Sequence, residues 1–335
     1  MRTKFGFLII ALACVFTASI SVLAEGPPPW AYGFTTPAGA AAPAPAAAPA
    51  AAPAAPDPTP RHVPGSDKEF VRQQIANQYG PADWFPGDHG PMPDIVAHGR
   101  QQAMIAACSL CHYPNGKGRP ENAGVSGLPI AYFIQTMHDF RDGMRKSADA
   151  RKANTNRMIS FAKNMTDDEI KAAAEYFGAM KWTPWMTKVV ESDTVPKTRA
   201  NGGMFLTLEG NEKEPLGQRL IETPVNAEET EVLRNDHSGF IVYAPKGSLK
   251  RGEALVKTGA GRTTACGLCH GEDLRGLGPV PGLAGRSPSY IGRQLYDMQA
   301  GFRKGEWTSL MKPVVAKLTD DDLIAVTAYI ASMTP

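Results

Sequence analysis

Two short stretches carry nearly all the chemistry this sequence advertises. Ala107-Cys108-Ser109-Leu110-Cys111-His112 and Ala265-Cys266-Gly267-Leu268-Cys269-His270 each set two thiols and an imidazole at the same spacing. The only other cysteine is Cys14, inside an apolar leader. Three chemistries use such groups: structural zinc, dithiol redox exchange and covalent haem. Zinc pairs usually lie closer than the 154 residues between Cys111 and Cys266, and zinc gives no reason for a histidine after each second cysteine. A redox dithiol sits at a helix start behind a strand, with a depressed thiol pKa, and no strand pattern precedes either motif. Covalent haem uses every residue: two thiols add to the vinyl groups, and the adjacent histidine offers iron a nitrogen.

The motif belongs to a repeat. A shift of 158 residues carries the first copy onto the second, and with it Tyr132 onto Tyr290, Asp139 onto Asp297, Gly143 onto Gly301, and Arg145-Lys146 onto Arg303-Lys304. Beyond that point the first copy has five extra residues and the shift becomes 153, pairing Thr166-Asp167-Asp168-Glu169 with Thr319-Asp320-Asp321-Asp322. The repeat acts as an internal control on methionines. Met137, Met144 and Met165 correspond to Leu295, Phe302 and Leu318, so they read as core. Met158 pairs with Met311 and Met180 with Met333. The second pair sits at the far end of the last helix. Met158 and Met311, in a predicted loop eight residues before each Thr cap, are the candidates for a thioether ligand opposite His112 and His270.

The elements that must position these groups follow the same repeat. Each copy predicts a first helix from near Pro93 or Lys250, the Cys motif, and a Gly/Pro-rich loop. A middle helix from near Tyr132 or Tyr290 comes next, then a last helix opened by Thr and three acids, a capping box that complements the helix dipole. The prediction is a mainly α chain: two tandem helical domains, 63–181 and 247–335, joined by a connecting segment, 182–246, whose short β-branched runs suggest extended, partly β or irregular structure.

The leader, residues 1–24, has a basic start, an apolar run and a small-residue end, and reads as a signal peptide or, uncleaved, as a membrane anchor. Export to the periplasm follows. Residues 25–62 read as an Ala/Pro-rich flexible linker, a spacer or a tether; about 30 residues of polyproline II could span on the order of 90 Å. The chain carries a formal charge of +2 and no polybasic tract, so nucleic-acid binding finds no support. The densest basic cluster, Arg141, Arg145, Lys146, Arg151 and Lys152, is interleaved with acids and reads as a solvated face.

The two C-x-x-C-H motifs, the loop Pro281-Gly282-Leu283-Ala284-Gly285-Arg286, the downstream methionines and the acidic start of the last helix resemble the diheme class I c-type cytochromes, the cytochrome c4-like group. The resemblance spans about 90–181 and 247–335; the connecting segment lies outside it. It implies two haem c groups, bound covalently through Cys108, Cys111, Cys266 and Cys269, with His112/Met158 and His270/Met311 as iron ligands. It also implies a Pro281 carbonyl accepting the second N–H of His270, with Ala123 at the equivalent position, and haem propionates near Arg286 and Tyr290. The implied role is an electron carrier between a redox protein donor, respiratory or dehydrogenase, and an acceptor. The alternatives are a cytochrome subunit of a larger dehydrogenase and a diheme peroxidase with one open iron position.

Overall fold

The computed structural model describes residues 26–40 and 57–335. The leader and most of the Ala/Pro tract lie outside the described residues. Among the described residues no helix is long and apolar enough to cross a membrane.

A short helix, α1 (Pro29–Tyr32), opens the described chain and is closed by Gly33 at φ 78°. The first repeat follows: α2 (Cys108–His112), α3 (Ile130–Arg141), α4 (Ala153–Asn164) and α5 (Asp167–Gly178). The predicted cap of α5 forms as a capping box, with Thr166 Oγ1 accepting from Glu169 N and Glu169 Oε2 accepting from Thr166 N. The opening helix of this repeat is shorter than predicted, only Asp94–Ala97. Gly99 turns the chain at φ 64°, where an added Cβ would meet the Ile105 carbonyl at 2.2 Å, so the helix cannot run on to the Cys motif.

The connecting segment forms a three-stranded sheet from β1 (Met186–Glu191), β2 (Ile221–Pro224) and β3 (Phe240–Ala244), in the order β1-β3-β2. β1 runs parallel to β3 and β2 antiparallel to it. Two small antiparallel pairs, Thr194–Pro196 with Lys213–Pro215 and Thr198–Asn201 with Met204–Thr207, and the short helix α6 (Ala227–Glu231) complete it. The second repeat is α7 (Ser248–Thr258), α8 (Gly267–His270), α9 (Pro288–Gln299), α10 (Thr308–Val315) and α11 (Asp320–Ser332), the last capped by Thr319 and Asp322 as α5 is by Thr166 and Glu169. Here the opening helix is intact, and Gly252 lets it approach α11 so closely that a Cβ would meet the Ala325 carbonyl at 2.0 Å.

One buried cluster ties the parts together. Trp30, Ala31 and Tyr32 of α1 pack with Tyr113, with Trp185, Phe240 and Val242 of the connecting segment, and with Ile324, Ala328 and Ala331 of α11. The expectation of a flexible linker over 25–62 is therefore corrected for its first described part. Tyr32 donates to Asp297 Oδ1 at 2.7 Å, and the Ala31 and Tyr32 carbonyls accept from Arg293 and Lys152. The aromatic pair makes the difference: Trp30 and Tyr32 bring enough apolar area to order a segment that composition marks as a spacer. Since 26–34 already sits on the body, the Ala/Pro tract that follows is not the link between the leader and the folded part.

The two repeats meet about an approximate twofold. Lys146 N donates to the Phe302 carbonyl and Lys304 N to the Met144 carbonyl, both at 2.8 Å, and the two bonds exchange under the 158-residue shift. Arg145 and Lys152, expected on a solvated face, are only 6% and 3% exposed because that stretch faces the other repeat and α1.

Candidate functional site

In the first repeat the Cys motif forms one turn, α2, and its histidine points inward. His112 Nδ1 lies 2.8 Å from the Ala123 carbonyl. A carbonyl only accepts, so this bond puts the proton on Nδ1 and leaves Nε2 with a free lone pair. Burial lowers the His112 pKa, outweighing that bond, and so favours the neutral ring, the form that coordinates metal. The second copy repeats the arrangement: His270 Nδ1 lies 2.7 Å from the Pro281 carbonyl, and burial again lowers the imidazole pKa. The loops differ in sequence, but the backbone oxygen serves whichever side chain stands there.

Two adjoining cavities, of about 770 and 660 Å³ with their open mouths included, border the first repeat, and Tyr290, Arg293, Gln294 and Asp297 of α9 wall one side of the first. His112 and Met158 line both, and Cys108 and Cys111 line the second. The walls are mostly apolar, with Phe133, Met137, Phe161 and Phe177 among them. Met158 does not sit in a loop, as predicted, but within α4; Met311 likewise lies within α10. The stretch Ala153–Asn164 has no glycine or proline, and α10 tolerates Pro313 one turn from its end, so each segment winds into a helix that carries its thioether. Met311 and Cys266 both pack on the core of the second repeat.

The residues present fit a haem held by two thioethers. Paired cysteines precede a histidine with a free Nε2, and in the first repeat a thioether shares an apolar cavity with it. The thiols do not resemble those of a redox dithiol: burial pushes Cys108 up to about 12 and Cys266 up to about 11, the opposite of an activated thiolate. Among the described residues no cluster of three or more His, Cys, Asp or Glu side chains is arranged to hold a metal ion by itself.

Arg286 and Tyr290, the residues expected near the haem propionates, both have polar partners within the protein. Arg286 is 5% exposed, and its three nitrogens donate to the carbonyls of Gly282, Gly124 and Ser126, with the guanidinium over the Trp182 ring. It clasps the first repeat. Tyr290 packs on the core of its own repeat and also lines the first cavity, where its hydroxyl accepts from Arg145 at 3.0 Å. Arg303 makes the mirror-image bond to Tyr132 at 2.8 Å. Arg145 and Arg303 are both buried, and neither has a carboxylate partner among the described residues. Their pairing under the repeat was visible in the sequence; their burial was not. Asn154 is a second omission. It donates to Asn122, which donates to the Cys111 carbonyl, tying α4 to the motif turn. The repeat gave no signal for it, since the counterparts are Trp307 and Val280.

The turn after each histidine needs a left-handed backbone. Gly271 supplies it at φ 83°, whereas Tyr113 adopts φ 63° with a full side chain. Its ring is 2% exposed and packs edge-on to Trp185, which offsets the strain.

A family model described as cytochrome c matches residues 96–181. Cytochrome c-554(548) of Halomonas halodenitrificans is 36% identical over 75 residues, 22% of this chain and 90% of the relative. Cytochrome c4 of Pseudomonas aeruginosa is 23% identical over 238 residues, 69% of this chain and 86% of the relative. A protein named thiosulfate dehydrogenase electron acceptor, from Thiomonas intermedia, is 26% identical over 232 residues, 68% of this chain and 78% of the relative.

Proposed function

The chain belongs to the cytochrome c family, in its diheme, cytochrome c4-like branch with two covalently bound haem c groups, and we propose that it is an exported relay passing single electrons from a dehydrogenase to a downstream acceptor. Haem c supplies a one-electron iron couple. The chain's own residues do the rest. Cys108 and Cys111, with Cys266 and Cys269, are the attachment points. His112 and His270 offer Nε2, each oriented by a carbonyl on Nδ1, at Ala123 and Pro281. Met158 and Met311 would supply a thioether to the iron, and a thioether favours reduced iron and raises the potential.

The single observation that carries this reading is the placement of His112, Met158, Cys108 and Cys111 around one apolar space, in a chain that repeats every one of those residues. Between the two sites lies the seam of Arg145, Tyr290, Arg303 and Tyr132. Arg145 and Tyr290 line the first cavity, and a buried guanidinium without a carboxylate is stabilised by an anionic partner. We assign Arg145, with Tyr290, to the porphyrin carboxylates in place of Arg286, whose nitrogens are taken. The leader motivates export, and the relative named as an electron acceptor motivates the dehydrogenase donor.

The test is a reductive titration of protein matured in its own host, alongside its intact mass. Two covalent haems, two electrons taken up per chain and full reoxidation are the expected result. A chain that takes up one electron, or shows an iron position open to added ligands at rest, defeats the relay.

A further inference from the structure

The two C-x-x-C-H turns are alike in sequence, yet only the first has a fixed charge set against it. Arg234, half-buried on the connecting segment just beyond α6, donates to the Leu110 carbonyl inside the Cys108–His112 turn. Its guanidinium lies over the Tyr113 ring, 5.5 Å from the centroid. No carboxylate pairs with it among the described residues. Burial, and then the nearby Arg119, lower its pKa, but a guanidinium starts so far above neutrality that it keeps its proton.

The fold holds this arginine in place at a cost. Arg234 adopts φ 56°, a left-handed backbone that a full side chain enters only when its surroundings impose it. The surroundings are fixed on both sides: the Leu233 carbonyl accepts from Trp84 Nε1 at 2.7 Å, Asn235 donates to Glu229 Oε2 at 2.7 Å, and the Asp236 carbonyl accepts from Asn115. The other charges around the turn leave Arg234 uncancelled. Arg119 and Glu121 pair at 2.7 Å and neutralise one another, and Arg157 is exposed, where water and salt screen it. Of the charges that reach the Cys111 sulfur, Arg234 acts most strongly. The second turn has none of this. The repeat puts Leu277 and Pro279 where Arg119 and Glu121 stand, and Leu310 where Arg157 stands, and the connecting segment occurs once. Among the described residues no cation acts on Cys266 or His270, and the second turn is open to water, with Leu268 72% exposed against 8% for Leu110.

We propose that Arg234 tunes the first site: its unpaired positive charge, held against the Cys108–His112 turn, raises the reduction potential there above that of the second site, so that a single electron in the chain rests at the first. This rests on the two-haem relay reading. Reduction lowers the charge of a site by one, and a cation fixed in surroundings of low dielectric favours that state. Water around the second turn favours the oxidised state instead. The connecting segment thereby makes two sites of matching ligands unequal, and gives electron transfer between the repeats a direction.

The experiment is a potentiometric titration of the full, haem-loaded protein, read by visible absorbance, with Met311→Ala used to tell the second midpoint from the first. In the wild type the first site is expected to have the higher midpoint. R234Q is expected to lower that midpoint alone, until the constant for sharing an electron between the two sites falls about tenfold, equal to about 59 mV for one electron. R234K keeps the charge and is expected to restore most of the difference. Denaturant unfolding of the same samples separates a charge from a clasp. An R234Q that loses stability while both midpoints stay in place makes Arg234 a structural tie and overturns the proposal. So does an R234K that falls as far as R234Q, or a wild type whose second site has the higher midpoint. A wild type that takes up fewer than two electrons sinks the relay reading and this proposal with it; two electrons taken up, with R234Q silent, sinks this proposal alone.

Discussion

Arg145 and Arg303 lie directly opposite one another in a two-residue antiparallel bridge, and each guanidinium crosses to the tyrosine of the other repeat. Gln294 accepts from both, at 2.7 and 3.1 Å. Two like charges can sit this close only because oxygen acceptors surround them and the backbone bridge fixes their approach. Arg303→Gln removes a charged hydrogen bond to Tyr132, which is expected to cost about 2 kcal/mol in denaturant unfolding of the haem-loaded protein. Tyr132→Phe is expected to cost less, since Arg303 keeps its bond to Gln294. Equal stability of wild type and R303Q would show that the seam does not hold the repeats together.

The thioether assignment is tested by Met158→Ala and Met311→Ala. Each single change is expected to halve the sulfur-to-iron charge-transfer band of the ferric protein, and the double change to abolish it. Because the thioethers also tune the couple, each variant is expected to lower the potential of one haem and leave the other in place. A double variant that keeps the full band would remove both methionines from the iron.

Attachment is tested by replacing one cysteine pair at a time. C108A/C111A and C266A/C269A are each expected to reduce the intact mass by one haem, within the small change of the substitutions. Loss of both haems in either variant would mean that the two sites do not mature independently.

Much of this site was legible because it occurs twice. The repeat reduced the methionines to two pairs, Met158 with Met311 and Met180 with Met333, and the Thr-acid pattern gave both last helices their starts. The same logic could not see what occurs once. Asn154 and the α1 segment have no second copy to compare. Arg145 had a partner in the repeat, but its burial depends on the two repeats docking face to face, which no local pattern encodes. Proline and alanine around Trp30 and Tyr32 hid a docked segment, because composition averages over the two aromatic residues that decide the matter.

That docked segment predicts its own energetics. Trp30→Ala vacates a site walled by α9 and α11, and a buried aromatic truncated to alanine costs about 3–5 kcal/mol. Gly292→Ala is expected to destabilise as well, since its Cβ would lie 2.6 Å from the Trp30 ring. In the double variant the clash has no partner, so the two costs are expected to fall short of their sum when followed by denaturant unfolding. Strict additivity would place Trp30 elsewhere than on Gly292.

Glu222 gives the clearest pH signature. Its carboxylate, 1% exposed on β2, accepts from Ser287 Oγ and Ser289 N at the start of α9, which ties the connecting sheet to the second repeat. Burial outweighs these bonds and raises its pKa from 4.5 to about 7. A carboxyl raised on folding holds its proton in the native state where the unfolded chain has lost it. Its stabilising contribution is therefore complete below about 4.5 and is lost as pH rises through about 7. The span corresponds to about 3 kcal/mol at most. Glu222→Gln is expected to flatten stability against pH across this window and to gain on the wild type above it, as read by denaturant midpoints from pH 4.5 to 8. A variant whose midpoints track the wild type at every pH would mean that Glu222 is already ionised in the fold, with its charge met by Ser287, Ser289 and the α9 dipole.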